Sequence, residues 1–204
     1  NSSALRVPSL FLSMASINEK ELPPWIRFEK ITSYTESIST TSLLASPSSV
    51  ADCQELIDFA KNRNLSICPR GSGYSFGDMI LNDGHIILKM NRMNRILQWD
   101  QGTGQIVVEA GVTLAQIIMK TLLFNWIIPA CPGGSEITVG GAISNNVHGK
   151  DSWANGNFGG QVVSLKLLTS SEEIISIHHQ RDRHLFEAVV SGMGLLGIIV
   201  EATL

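Results

Sequence analysis

At 204 residues, with 44% hydrophobic composition, the chain is long enough for one large core or two small ones. A formal charge of −3 with no run of like charges argues against a nucleic-acid-binding surface, and no unbroken apolar stretch reaches the roughly 18 residues of a membrane span. Cys53, Cys68 and Cys131 are odd in number and lack C-x-x-C spacing, which reads as reduced thiols packed in the core of a cytoplasmic chain, with peripheral membrane association left open.

In chain order, residues 1–38 read as an N-terminal extension. They start at Asn1 rather than Met, and the apolar piece at 10–17 is too brief for a secretory segment. Leu22-Pro23-Pro24-Trp25 reads as a connector. Ser42-Leu43-Leu44-Ala45 is a short strand ending at Pro47, and Ser48-Ser49 cap a helix with Val50, Cys53, Leu56, Ile57 and Ala60 on one face. Asp52 and Glu55 fall early in that helix and Lys61 and Arg63 late, as its dipole favours. A buried strand follows at Leu65-Ser66-Ile67-Cys68, then a glycine-rich loop, the turn Asn82-Asp83-Gly84 and another apolar strand at 85–90. Strand, helix, strand and glycine loop make a βαβ unit with a ligand edge at its strand ends.

That loop is Pro69-Arg70-Gly71-Ser72-Gly73-Tyr74-Ser75-Phe76-Gly77-Asp78. Glycines let its backbone take positive φ and approach a ligand, and successive N–H groups in such a loop make a concave anion site to which Ser72 and Ser75 add hydroxyls. The favoured ligand is a phosphate or pyrophosphate. The spacing is G-x-G-x-x-x-G rather than the dinucleotide fingerprint, and no helix opens directly after it. Gly149-Lys150 ends like a P-loop, but Ser144 and Asp151 break that motif.

The second half changes character. The runs 96–100 and 105–109 flank Gly102-Thr103-Gly104 as a hairpin, and Thr113 starts a helix with apolar Leu114, Ile117, Ile118 and Leu122. Residues 126–129 read as a strand, 163–168 and 173–177 as a second hairpin, 185–190 as a short helix and 197–204 as a final strand. Hairpins with intervening helices indicate an antiparallel sheet, so the chain is α+β with two lobes, residues 39–94 and 95–204. His178-His179 sit on opposite faces of a strand and make a poor metal site.

A second small-residue segment runs from Cys131-Pro132-Gly133-Gly134 into Thr138-Val139-Gly140-Gly141-Ala142-Ile143-Ser144-Asn145-Asn146-Val147-His148-Gly149-Lys150. Thr138 is an N-cap, and the paired glycines are expected either to bare the first N–H groups of a helix to an anion or to pack as a tight turn on the sheet. Trp153, Asn155 and Asn157 fall in a glycine-bearing loop that borders substrate or is plain surface.

Together, P-R-G-S-G-Y-S-F-G-D, M-N-R-I-L-Q-W-D with I-V-V-E-A-G-V-T-L, P-G-G with T-V-G-G-A-I-S-N-N-V-H-G-K, N-F-G-G-Q-V-V-S-L-K-L-L-T and G-L-L-G-I-I-V-E-A-T-L resemble the FAD-binding domain of the p-cresol methylhydroxylase and vanillyl-alcohol oxidase family. V-H-G-K and N-F-G resemble its decaprenylphosphoryl-β-D-ribose 2-oxidase-like branch, and residues 90–111 its sugar-lactone oxidases. The resemblance implies a two-lobed fold of that type, with a small parallel α/β lobe and a larger antiparallel lobe with helices. It implies FAD, with the pyrophosphate against Arg70 to Gly77 and Thr138 to Gly141, Asn145 to His148 along the ribityl chain and ring, and Gly133 and the Ile198 backbone also lining the cofactor.

Tyr74 stands where relatives with a histidyl–flavin bond carry histidine, and Glu136 where those with a cysteinyl bond carry cysteine, which implies FAD held without a covalent bond. Phe76 replaces a tyrosine of the ribose-oxidase branch. The implied reaction passes a hydride from a CH–OH carbon of a sugar-like small molecule to the flavin. His148 is the candidate proton acceptor and Lys150 the candidate charge partner, against simple packing for the one and solvation for the other. The alternatives are a sugar-lactone oxidase and a flavin-binding module without turnover. The family's substrate domain follows the last strand and is expected to lie outside this chain, leaving the piece alone short of half its active site.

Overall fold

The apolar runs at 42–45 and 85–90 become the inner strands of a four-stranded sheet, because residues buried on both faces need cover from both sides. The structure, a computed structural model, describes residues 17–18 and 22–204; of the apolar piece at 10–17, only Ile17 falls among them. Strands β1 (Ile26–Thr32), β2 (Ser39–Ala45), β3 (Ile67–Arg70) and β4 (Ile86–Lys89) lie in the order β1-β2-β4-β3. β2, β4 and β3 run parallel, while β1 pairs antiparallel with β2 from Ile26 opposite Ala45 to Thr32 opposite Ser39. The small sheet is therefore mixed rather than wholly parallel. Part of the stretch read as an extension is its edge strand, hidden in sequence because I-R-F-E-K-I-T buries only Ile26 and Ile31 fully.

Alternation on the inner strands decides what covers each face. Leu43, Ala45, Ile86 and Leu88 join the main core with Cys53, Leu56, Ile57 and Ala60 of helix α1 (Val50–Asn62). Leu44 and Ile87 point the other way, into a small cluster with Ile31 and Leu81. The helix thus covers one face, and the loop between β3 and β4 closes over the other. β3 itself begins two residues later than the apolar run suggested: Pro69 and Arg70 pair with Leu88 and Lys89, so the loop proper opens at Gly71. A proline is tolerated there because β3 is an edge strand.

The second sheet has five antiparallel strands, β5 (Ile96–Trp99), β6 (Ile106–Glu109), β7 (Ser164–Leu168), β8 (Ile174–His178) and β9 (Ile198–Thr203), ordered β5-β6-β9-β7-β8. Both predicted hairpins form, and the final strand fills the gap between them. Helix α2 (Leu114–Thr121) starts at a Thr113–Gln116 capping box, and helix α3 (Val139–Ser144) packs on β9 and β6. The predicted strand at 126–129 is irregular instead. Asn125 takes a left-handed turn at φ 60, and the Trp126 indole donates to the Gln101 carbonyl at 2.9 Å, so a side chain rather than a ladder anchors this piece. The loop at 152–155 winds into one short helix, α4 (Ser152–Asn155), and α5 (Arg183–Val189) stands where a short helix was expected.

One apolar core runs through both sheets. They are also fastened by Glu172, in the β7–β8 turn, whose carboxylate meets Lys61 Nζ at 2.5 Å and whose carbonyl accepts from Gln54 Nε2 at 2.9 Å. Among the described residues no helix is long and apolar enough to cross a membrane, and no group of three or more His, Cys, Asp or Glu could hold a metal. His179 stacks on Phe186 instead, at 4.4 Å between rings.

Candidate functional site

A cleft of about 250 Å³ lies between the sheets, walled by the glycine loop on one side and by residues 137–147 on the other. The sequence explains how these walls come so close. A Cβ on Gly71 would sit 2.1 Å from Thr138 Oγ1, so only glycine lets the loop of the small sheet touch the cap of α3. Ser72 Oγ donates to the Glu136 carbonyl across the same seam.

The loop's backbone is chemically unspent. Among the described residues, no acceptor takes a hydrogen bond from any N–H of residues 71–77. Gly73 and Gly77 take φ of 83° and 67°, the left-handed conformation that glycine adopts without strain, Gly73 within the cleft lining and Gly77 just beyond it. Beneath Gly73 lies the Arg70 guanidinium, which donates to the Thr32 and Ile80 carbonyls at 3.3 Å and forms no ion pair with a described residue. Burial pushes this group below the usual arginine value, a shift opposed by its neighbours Cys68 and Glu29. A partly desolvated cation whose hydrogen bonds all go to neutral carbonyls, beside a loop of unbonded N–H groups, favours an anion.

The second segment behaves otherwise. Thr138 is the N-cap, as expected, and its Oγ1 accepts from Gly141 N at 3.3 Å. Its first N–H groups are not free, however. Val139 N donates to the Val112 carbonyl and Gly140 N to the Ala110 carbonyl, both at 2.8 Å, and Ala142 N to the Thr138 carbonyl. A Cβ on Gly140 would meet Ala110 Cβ at 3.0 Å and its carbonyl at 3.2 Å. Gly140 thus brings α3 against Ala110 at the end of β6, Gly141 faces its own cap at Thr138, and the expectation of bare helix N–H groups is corrected.

Of the residues singled out in the sequence, Pro69 to Phe76 line the cleft, with Thr138, Gly140, Gly141, Asn145 and Val147 opposite. Gly77 and Asp78 continue the loop beyond the lining, and both are exposed. Gly133 stands open, with nothing within 4 Å of a Cβ built on it. Val139 is wholly buried in the core, and Ile198 is buried beside the cleft-lining Gly197 and Ile199. Asn146 turns away, at φ 43°, to accept from Gly159 N at 2.9 Å. His148 and Lys150 are exposed and outside the lining, and His148 bridges to Asn157. Arg70 and Tyr74 are the ionisable side chains of the lining among the described residues.

Sequence reading missed the cleft's apolar part, Met79, Met90, Ala110, Met193 and Ile199, together with Gly194 and Gly197. The triple glycine of G-M-G-L-L-G carried a signal: Gly194 and Gly197 take φ of 77° and 151°, and Gly194 packs on Pro69. Methionines at a cleft have no periodic signature. The site fits a dinucleotide such as FAD. Free N–H groups and an unpaired guanidinium match a diphosphate, and thioether and methyl surfaces match apolar rings.

Comparison with known proteins gives the same direction. Residues 41–178 match the family described as FAD binding domain. The chain is 39% identical over 146 residues to decaprenylphosphoryl-beta-D-ribose oxidase of Mycolicibacterium smegmatis, which covers 71% of this chain and 32% of that protein. It is 31% identical over 158 residues to L-gulonolactone oxidase of Bos taurus, covering 78% and 36%, and 27% identical to the mitochondrial L-galactono-1,4-lactone dehydrogenase of Arabidopsis thaliana, covering 78% and 26%. The match spans about a third of the length of such relatives.

Proposed function

This chain belongs to the FAD-binding-domain family, and from that membership we propose that it is the cofactor-holding part of an oxidoreductase acting on a CH–OH carbon of a sugar or sugar lactone. The cofactor is FAD. The observation that carries the reading is the run of unbonded N–H groups at 71–77 beside the unpaired Arg70 guanidinium. In this reading the glycine loop holds the diphosphate, Arg70 balances its charge, and the arrangement of sheets corresponds to a two-lobed domain of the p-cresol methylhydroxylase type. The Thr138 to Gly141 segment is a wall set at fixed distance by Gly71 and Gly140, and Asn145 and Val147 extend it.

Bound there, FAD supplies the hydride acceptor; the protein supplies position and charge. The hydroxyl proton needs a separate acceptor, and neither ionisable group of the lining serves well: Arg70 is a cation and Tyr74 a phenol. We assign the step to His148, exposed next to the cleft-lining Val147, with Lys150 as charge partner. The same poverty of bases supports a second reading, in which the 204 residues alone bind flavin without turnover.

The test is an absorption spectrum of the protein with FAD, then a screen of sugars and sugar lactones against an artificial electron acceptor, in the full-length natural protein. Flavin bands that bleach anaerobically with one substrate class are expected. Absence of FAD binding sinks the proposal. With a substrate in hand, His148→Ala should slow bleaching at least about tenfold without losing FAD. Bleaching at the parental rate removes His148 from the mechanism.

A further inference from the structure

The turn between β1 and β2 has no role in the reading above, yet it reaches the glycine loop. Tyr34, at its tip, lies 5.2 Å from Tyr74, ring centre to ring centre, with planes tilted by 38°, and 5.7 Å from Phe76, edge to face. Tyr74 and Phe76 line the cleft. The turn is built to stay put. Ser33 N donates to the Ile38 carbonyl at 2.9 Å, Ile38 N to Ser33 Oγ at 3.3 Å and Glu36 N to the Ser33 carbonyl at 3.0 Å. A second tie comes from below, where Arg70 donates to the Thr32 carbonyl.

Such a cluster would ordinarily bury its rings. Here Tyr34, Tyr74 and Phe76 are 49%, 41% and 67% exposed, so their contacts with one another leave much of their faces unused. We propose that Tyr34 is a positioning residue for the FAD site, holding Tyr74 and Phe76 as an aromatic rim that stacks the isoalloxazine ring. The proposal rests on FAD being the cofactor. The flavin end is favoured over the adenine end because the faces of the Tyr74 phenol and the Phe76 phenyl are electron-rich and oxidised isoalloxazine is electron-poor, whereas adenine is electron-rich like them. Tyr34 acts through its two neighbours. Removing its ring frees the side chains of both to swing away from the cleft while the loop N–H groups assigned to the diphosphate keep their place.

The experiment titrates the full chain and its Tyr34→Ala and Tyr34→Phe variants with FAD, FMN and ADP, recording bound-flavin fluorescence and the melting temperature without ligand. FMN lacks the adenylate half, and ADP lacks the flavin. Tyr34→Ala is expected to weaken FAD and FMN about fivefold, to brighten bound flavin, whose emission an adjacent phenol quenches, and to leave ADP affinity unchanged. Tyr34→Phe should restore affinity, since the ring rather than the hydroxyl makes the contact. Unchanged FMN affinity in Tyr34→Ala overturns the proposal, as does a loss confined to ADP. A loss of all three ligands that follows a fall in the ligand-free melting temperature marks Tyr34 as structural and overturns it too. Failure of the parent to bind FAD at all strikes the family-based reading instead, and is recognised by the parent's own titration.

Discussion

A methyl group added to Gly71 would sit 2.1 Å from Thr138 Oγ1, and Thr138 is not free to retreat while it caps α3. Gly71→Ala should therefore part the two walls of the cleft and weaken FAD at least about tenfold, the worth of one charge-assisted hydrogen bond. Equilibrium titration checks it, and parental affinity would show that the seam yields cheaply. Gly140 differs, because its missing side chain faces Ala110 within one sheet's packing. Gly140→Val should lower the melting temperature of the ligand-free protein as well as FAD affinity, and an unaltered melting temperature would count against the packing role. Tyr74, without a histidine's nucleophilic nitrogen, should leave FAD extractable: acid precipitation ought to release yellow flavin to the supernatant, and flavin retained in the pellet would refute this. Cys53, wholly buried, has its thiol pushed up to about 12 by desolvation and, secondarily, by Asp52. It should resist iodoacetamide at neutral pH until the protein unfolds.

Helix α1 shows how an element's start can be both readable and titratable. Ser49 accepts from Asp52 N at 3.1 Å, and the Asp52 carboxylate accepts from Ser48 N, Ser48 Oγ, Ser49 N and Ser49 Oγ at 2.7–3.2 Å. Desolvation raises the Asp52 pKa, but these bonds together outweigh it and hold the group below the usual aspartate value. A carboxylate depressed on folding contributes stability that is complete above its unfolded pKa and is lost as pH falls through the folded one. Asp52→Asn should cost about 1 kcal/mol at pH 7 and flatten the acid side of the stability profile. An unchanged profile would place the acid sensitivity elsewhere. The helix starts at Ser49 and Thr113 were legible as hydroxyl residues just ahead of apolar runs at helical spacing, whereas the capping boxes closed by Asp52 and Gln116 emerged only in the structure. β1 was not legible, since its alternation breaks at Lys30, on the face of Ile26 and Phe28, and at buried Ile31, on the face of Arg27 and Glu29. The loop's anion chemistry was visible in its glycines. The role of Gly140 was not, because one pattern of small residues serves equally to admit a ligand and to admit a neighbouring strand.

At the scale of the molecule the cleft belongs to neither sheet alone, so its ligand should stabilise both together. With free FAD at a hundred times its Kd, the gain is about 2.7 kcal/mol, visible as a rise in melting temperature. FMN at the same concentration should give a smaller rise, having no adenylate half to add to the contacts of the cleft, and an equal rise would argue that only one end of the dinucleotide is held. The Lys61–Glu172 pair is half exposed and belongs to the range of about 0–1 kcal/mol typical of surface ion pairs. Lys61→Ala should shift the melting temperature little, because the common apolar core, not the clasp, joins the sheets.

The position of β9 bears on how the protein is made. It sits at the centre of the larger sheet, between β6 and β7, yet follows every other described strand in chain order. A ribosome producing this sequence delivers both strand pairs, β5–β6 and β7–β8, before the strand that lies between them. Until 198–203 emerges, β6 and β7 each present an open hydrogen-bonding edge to the crowded cell, and Met90, Ala110 and their neighbours lack the wall behind which they will lie. Holding chaperones should meet the nascent chain in that window, and flavin should be unable to rescue it there, since Gly197 and Ile199 join the cleft wall only when β9 pairs.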